Sequence, residues 1–287
     1  MKSSNKVIIA AVLLIAIGTV ASIFTFKGEK GQPFEIVEKA SKPFSSIHAT
    51  ADYAFMIIKP AEDNKAKAVL SGTQDNNRKV KLKSFIKDQQ WHIVAEEQTP
   101  RLFNFTIGFI PGKRELTIYL PEKEYKKLYF RTENGKVSIK EIDSQSLQVE
   151  SDNGKIDIAH LNANSIKTEA GNGKINVSDT NGKVEARADN GLISFKNTKG
   201  QIKARTENGK ISFSKSTITE NLDFSADNGK ITLDLQTKPK SMQLDARTDL
   251  GSIRIFGKKY SNSAVIFGSG PKVNIRTDNG KIVINTD

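Results

Sequence analysis

The sequence predicts an all-β fold, a β-solenoid of the single-stranded β-helix type, behind one N-terminal transmembrane helix. Three observations predict it. An Asn-Gly pair recurs at near-constant spacing through the C-terminal half, short segments alternate apolar and polar residues, and one unbroken apolar run stands at the N-terminus.

The apolar run comes first along the chain. Behind the tip Met1-Lys2-Ser3-Ser4-Asn5-Lys6, residues 7–26 carry no charge, and Lys27 closes them off. At ~1.5 Å per residue a helix of that length crosses the ~30 Å hydrocarbon core once. Lys2 and Lys6 place the tip (1–6) in the cytoplasm, so the chain after the anchor (7–26) lies outside the cell membrane, held by a single pass. Thr19-Val20-Ala21 would also serve as a signal-peptide cleavage site, yet the apolar run continues past it through Ile23, Phe24 and Phe26. Residues 27–43, with Gly28, Gly31, Pro33 and Pro43 among charges, are expected to be a tether.

From Ser46 the period changes to two. Ile47, Ala49, Ala51 and Tyr53 alternate with His48, Thr50 and Asp52, and similar alternation recurs around Val80, Trp91-His92-Ile93 and Leu116–Leu120. No amphipathic helical stretch interrupts residues 44–287, which are expected to form the extracytoplasmic solenoid.

Regular rungs are expected over 131–287. Asn134-Gly135, Asn153-Gly154, Asn172-Gly173, Asn190-Gly191, Asn208-Gly209, Asn228-Gly229 and Asn279-Gly280 share one frame with Leu250-Gly251. Both residue types tolerate positive φ, so each pair marks a sharp structural turn. A hairpin would set Val149 opposite Ile158 across the turn, whereas a solenoid would use the pair as a corner and stack each repeat on the next at ~4.8 Å. The even spacing favours the solenoid. Core volumes agree with it, since Ala186 is followed nine residues on by Phe195 and Ala204 by Phe213, large facing small.

Composition excludes much chemistry. With no cysteine there is no disulfide, thiol nucleophile, cysteine-held zinc, iron–sulfur site or lipidated cysteine, and His48, His92 and His160 are too scattered for a histidine metal cage. No metal and no cofactor is expected. The net charge is +12, or +10 once Lys2 and Lys6 are set aside, so the exterior domain suits anionic partners.

Glu115-Leu116-Thr117-Ile118-Tyr119-Leu120-Pro121, Tyr125-Lys126-Lys127-Leu128, the Asn-Gly-Lys-Ile rungs and Gly268-Ser269-Gly270-Pro271 together resemble the candidate-adhesin β-strand-repeat family of bacterial surface proteins. The resemblance covers roughly 44–287 plus the anchor. It implies a right-handed β-solenoid outside a Gram-positive membrane and a link to cell-envelope stress, and it carries over no catalytic residues.

Each corner is flanked by charge. Glu133, Asp152, Asp189, Glu207, Asp227 and Asp278 precede Asn-Gly; Lys136, Lys155, Lys174, Lys210, Lys230 and Lys281 follow it, with Leu192 and Ser252 as departures. Three readings stand open. The two ladders neutralise one another as a solvated face, or the lysines form a polyanion-binding comb that Lys258 and Lys259 extend, or the acids take calcium. Calcium needs 6 to 8 oxygens, and each rung offers one carboxylate close to an ammonium.

Other candidates are weaker. Gly268-Ser269-Gly270 lacks the helix a phosphate loop requires. His92 has no nearby nucleophile, and His160 is expected on a surface loop. The insertion 257–270 is either a binding loop or a lobe covering the last rungs. The function expected is a non-enzymatic, membrane-tethered scaffold or sensor that binds anionic wall polymer, lipid headgroups or envelope-stress membrane proteins, with no nucleic-acid partner. The alternative is a cell-surface polysaccharide-cleaving β-solenoid enzyme, which needs converging carboxylates in a walled groove.

Overall fold

Parallel stacking in register places each side chain over its counterpart one rung away, so a repeated pattern builds a continuous core from short strands. The computed structural model describes residues 32–74, 79–98 and 114–286. The anchor expected at 7–26 lies outside the described residues. Among them, no helix is long and apolar enough to cross a membrane.

Seven strands build the N-terminal end: β1 (Gln32–Lys39), β2 (Ser46–Ala51), β3 (Phe55–Pro60), β4 (Lys67–Gln74), β5 (Lys79–Lys87), β6 (Gln90–Gln98) and β7 (Arg114–Leu120). The regular stack follows in β8 (Tyr125–Lys140), β9 (Ser144–Lys199), β10 (Ile202–Ser216), β11 (Leu222–Leu235) and β12 (Gln243–Ile255). Two short strands, β13 (Lys258–Tyr260) and β14 (Ser263–Ile266), then precede β15 (Lys272–Thr286).

The register decides between hairpin and solenoid. Val149 pairs with Phe130, and Ile158 with Ile139, both on the neighbouring rung and in parallel. Asn190, Asn208, Asn228 and Asn279 follow one another across β9, β10, β11 and β15 without a slip. Each rung runs up one strand, turns at Asn-Gly and runs down a second. Alternate residues point inward, and β-branched side chains suit that pleated interior: Ile156, Ile175, Ile193, Ile211, Ile231 and Ile282 are all buried. Ala186 and Ala204 leave room for Phe195 and Phe213, while β11 reverses the sizes by placing Phe224 on its first strand, 5.9 Å from Phe195 and 6.1 Å from Phe213. Just inside the corner the space is narrow, and it holds only small residues such as Thr132, Ser151, Ala170, Ala188 and Thr206.

Stacking does not follow chain order at either end. The rung made of β2 and β3 lies between β8 and the outer rung made of β6 and β7. At the other end β15 inserts between β11 and β12, so β12 does not stack on β11, the rung before it in the chain. The physical reason is that β12 is built as an outermost rung. Leu250 occupies its asparagine position, and β13 and β14 pair antiparallel along its free edge. The insertion 257–270 is therefore a covering lobe. β5 on β6, and β4 on β7, close the opposite end in the same antiparallel way, so the outermost parallel rung at each end is paired within the chain.

Gln32–Lys39, inside the segment expected as a tether, is a strand paired with β4, and Phe34 and Ile36 pack on the core. A second corner also runs up the stack. Glu141, His160, Asp179, Asn197 and Lys215 all adopt left-handed backbone with φ between 47° and 58°. All five are polar but no single residue type recurs as it does at Asn-Gly, so the period-two pattern gave no sign of them.

Candidate functional site

The Asn-Gly corner carries the same residue pair through nearly every rung, and its geometry differs from a simple turn. Gly135, Gly154, Gly251 and Gly280 do not adopt left-handed φ. Glycine is required there for another reason. A Cβ at Gly154 would sit 1.7 Å from the Gly135 carbonyl oxygen, and one at Gly209 would sit 1.8 Å from that of Gly191. Each rung thus places a backbone carbonyl where the next glycine would carry its side chain.

The asparagines use the same proximity. Asn153 Nδ2 donates to Asn134 Oδ1 at 3.2 Å, and the pattern repeats from Asn172 to Asn153, Asn190 to Asn172, Asn208 to Asn190, Asn228 to Asn208 and Asn279 to Asn228 at 3.0–3.1 Å. Six bonds join seven amides into one ladder, which stops at exposed Leu250. Asparagine at a fixed period was visible in the sequence; its reciprocal donor and acceptor capacity was the overlooked signal.

Among the described residues, the acidic and lysine columns beside this ladder form no ion pairs with one another. Four of the six acids pair instead with arginines on the strand before the corner: Arg131 with Asp152 at 3.0 Å, Arg187 with Asp189 and Glu207 at 3.4 and 3.3 Å, and Arg205 with Asp227 at 3.2 Å. The arginines lie one rung back or two residues before the acid, a spacing that was legible and overlooked. Arg131 also bonds Glu150, as do Tyr129 and Gln148. Burial alone would push the Glu150 carboxyl up, but the hydrogen bonds from Gln148, Tyr129 and Arg131 outweigh it and hold it below the usual carboxylate range.

This leaves the lysines in two groups. Lys136 and Lys155 both lean onto Asp157, at 2.9 and 2.8 Å, and Asn176 donates to the same carboxylate at 2.7 Å. Burial would raise the Asp157 carboxyl, yet these three hydrogen bonds hold it low. Where Asp157 stands in its rung, the following rungs carry Asn176, Ser194, Ser212 and Thr232, and β15 carries Val283. Lys174, Lys210, Lys230 and Lys281 therefore have no ion pair among the described residues, and all four are exposed. Lys210, Lys230 and Lys281 occupy successive rungs at a spacing of ~4.8 Å, with Leu192 separating them from Lys174. Arg254 and its strand partner Lys259 add two exposed cations next to the column at the β12 end. Lys258 pairs with Ile255 and lies on the cap.

The remaining candidates resolve simply. His92 is half-buried and stacks between Phe85 at 4.7 Å and His48 at 5.6 Å, while His160 sits exposed on the second corner. Strand β15 follows Gly268-Ser269-Gly270, so the loop has no helix N-terminus. Among the described residues, no group of three or more His, Asp or Glu side chains could hold a metal ion. A cavity of about 690 Å³ is lined by Glu122, Glu124, Glu141 and Asp143 together with Lys123 and His160. Asp143 is committed there to the Asn162 backbone N–H at 2.8 Å.

Comparison with known proteins agrees with this architecture. A candidate adhesin from Bacteroides fragilis is 14% identical, with 88% of this chain and 97% of that one covered and a TM-score of 0.53, which shows a shared fold. A candidate cell adhesion protein from Clostridium sporogenes is 15% identical over 89% of this chain and 100% of that one, with a TM-score of 0.29. No curated protein matches. Residues 46–285, nearly the whole described stack, match the Toastrack DUF4097 family, and the chain belongs to that family.

Proposed function

We propose that the protein is a non-enzymatic, membrane-tethered scaffold or sensor of the cell envelope whose solenoid binds anionic polymer through its unpaired lysines. In this reading 1–6 is cytoplasmic, 7–26 is the anchor, and the solenoid stands outside. With one N-terminal apolar segment ahead of these repeats and this length, the chain resembles LiaG, a membrane-anchored protein of a Gram-positive envelope-stress operon. That likeness supports a role beside envelope-stress membrane proteins.

The observation that carries the reading is the column Lys174, Lys210, Lys230 and Lys281, four exposed ammonium groups on one face with no ion pair among the described residues. Each is individually weak and screened beyond ~8 Å at physiological salt, so affinity requires several phosphates presented in a line. Wall teichoic polymer has that character.

The test is co-sedimentation of the full chain with purified wall polymer. Converting these four lysines together to Gln is expected to abolish most binding, while Lys136→Gln with Lys155→Gln is expected to leave it nearly intact, because Asp157 already occupies that pair. Equal binding by both variants would reduce the column to a solvated face. Release of reducing ends from the polymer or from a wall glycan would instead favour the polysaccharide-cleaving alternative at the acidic cavity.

A further inference from the structure

The capped end of the stack holds a second cationic feature of different character. Between the turn after β11 and the β13–β14 lobe lies a cavity of about 400 Å³. Its wall carries Lys238, Lys240 and Lys258 and no carboxylate, and none of the three forms an ion pair among the described residues. The rest of the wall is largely apolar. Lys238 Nζ lies 5.2 Å from the Phe256 ring centre and Lys258 Nζ 5.5 Å from that of Tyr260, so aromatic faces lie beneath the ammonium groups. Phe267 stands at the rim with 92% of its surface in water, more than any other large apolar residue described.

The rim is held in place. Ser241 Oγ donates to the Ser269 carbonyl, and Gly268 passes so close to the Met242 carbonyl that a Cβ would meet its oxygen at 2.7 Å. Phe267 is thus presented on a fixed loop, and a preorganised contact loses less entropy on binding.

An anion alone would leave Phe267 in water, and a neutral apolar ligand would leave three ammonium groups without a counter-charge. Both halves are met by one molecule that joins an acidic headgroup to an apolar chain. We propose that this cap is a binding site for an anionic amphiphile, with a phosphate-type headgroup among Lys238, Lys240 and Lys258 and an acyl chain laid against Phe256 and Phe267. The site is separate from the lysine column and does not depend on the polymer reading.

The experiment is native mass spectrometry of the full chain in a neutral maltoside detergent, titrated with dihexanoyl-phosphatidylglycerol below its micelle concentration. Dihexanoyl-phosphatidylcholine and glycerol 3-phosphate are the comparison probes. One phosphatidylglycerol adduct is expected, at least tenfold stronger than either comparison probe. Two variants, Lys238→Gln/Lys240→Gln/Lys258→Gln and Phe267→Ser, should each weaken it at least fivefold, whereas the four-lysine column variant should bind as the parent does. Equal adducts with phosphatidylcholine would remove the charge half of the proposal, and equal binding of glycerol 3-phosphate the apolar half. Undiminished binding by both cap variants would place the ligand elsewhere and overturn it.

Discussion

Replacing Gly154, Gly209 and Gly257 by alanine, one at a time, separates two reasons for a chain to keep glycine. Gly257 has φ +80° and nothing within 4 Å of a built Cβ, so alanine there meets left-handed strain alone, about 1–2 kcal/mol. Gly154 lies outside the left-handed region, yet its Cβ would fall 1.7 Å from the Gly135 oxygen; Gly209 combines φ +158° with a 1.8 Å approach to Gly191. Restoring an ordinary carbon–oxygen contact of ~3.3 Å parts the rungs by roughly 1.5 Å at the corner, about a third of their ~4.8 Å spacing. An opening of that size carries the neighbouring Asn–Asn bond out of hydrogen-bond range. Losing that bond and one or two flanking backbone bonds at ~0.5–1.5 kcal/mol each, with ~1–3 kcal/mol of overpacking, gives about 2–5 kcal/mol. Urea unfolding of residues 32–287 should therefore rank Gly154→Ala and Gly209→Ala together, both well below Gly257→Ala in stability, with the midpoint moving and the slope unchanged. If Gly257→Ala is the most damaging and Gly154→Ala is neutral, backbone φ and not close approach governs the corner.

Three further outcomes are expected. Asn190→Ala removes two ladder bonds and Asn134→Ala one, so by equilibrium unfolding the first should cost about twice the second, on the order of 1–2 kcal/mol against 0.5–1. Asp157 has a folded pKa held below its unfolded value, so its contribution is present above pH ~4 and lost as pH falls through the folded value. Asp157→Asn should accordingly destabilise the protein at pH 7, and the gap from the parent should narrow as the pH falls below ~4; a gap that widens in acid would contradict the linkage. The chain has no cysteine, so Ser261→Cys, on the exposed cap, gives a single label site. It should react with an impermeant thiol reagent on intact cells, and labelling only after lysis would refute the proposed topology.

Much of the architecture was legible because a solenoid repeats its physics in its sequence. The alternation around Ile156, Ile193 and Ile231 and the volume exchange of Ala204 with Phe213 are local signals, and both survive folding unchanged. What could not be read was anything set by contact between distant segments. The insertion of β15 beside β11 depends on which rung carries the cap, and no residue within 272–286 announces it. At the corner the residues were evident but their reasons were not. Glycine there answers to a carbonyl 19 or so residues away, and asparagine to its own counterpart on the next rung. The lysine column was visible as a pattern, while the division into paired and unpaired members turned on Asp157 alone.

The salt dependence of polymer binding tests the central claim most directly. Full chain in neutral detergent would be titrated with poly(glycerol phosphate) over a range of ionic strength, and the same done for the variant with Lys174, Lys210, Lys230 and Lys281 changed to Gln. If the column engages phosphates, log K falls linearly with log salt for the parent, and the variant's slope is shallower by roughly 3, since each lost contact removes ~0.7–0.9. Identical slopes for the two proteins, or a parent that binds nothing at the lowest salt, would contradict a polyanion-binding column.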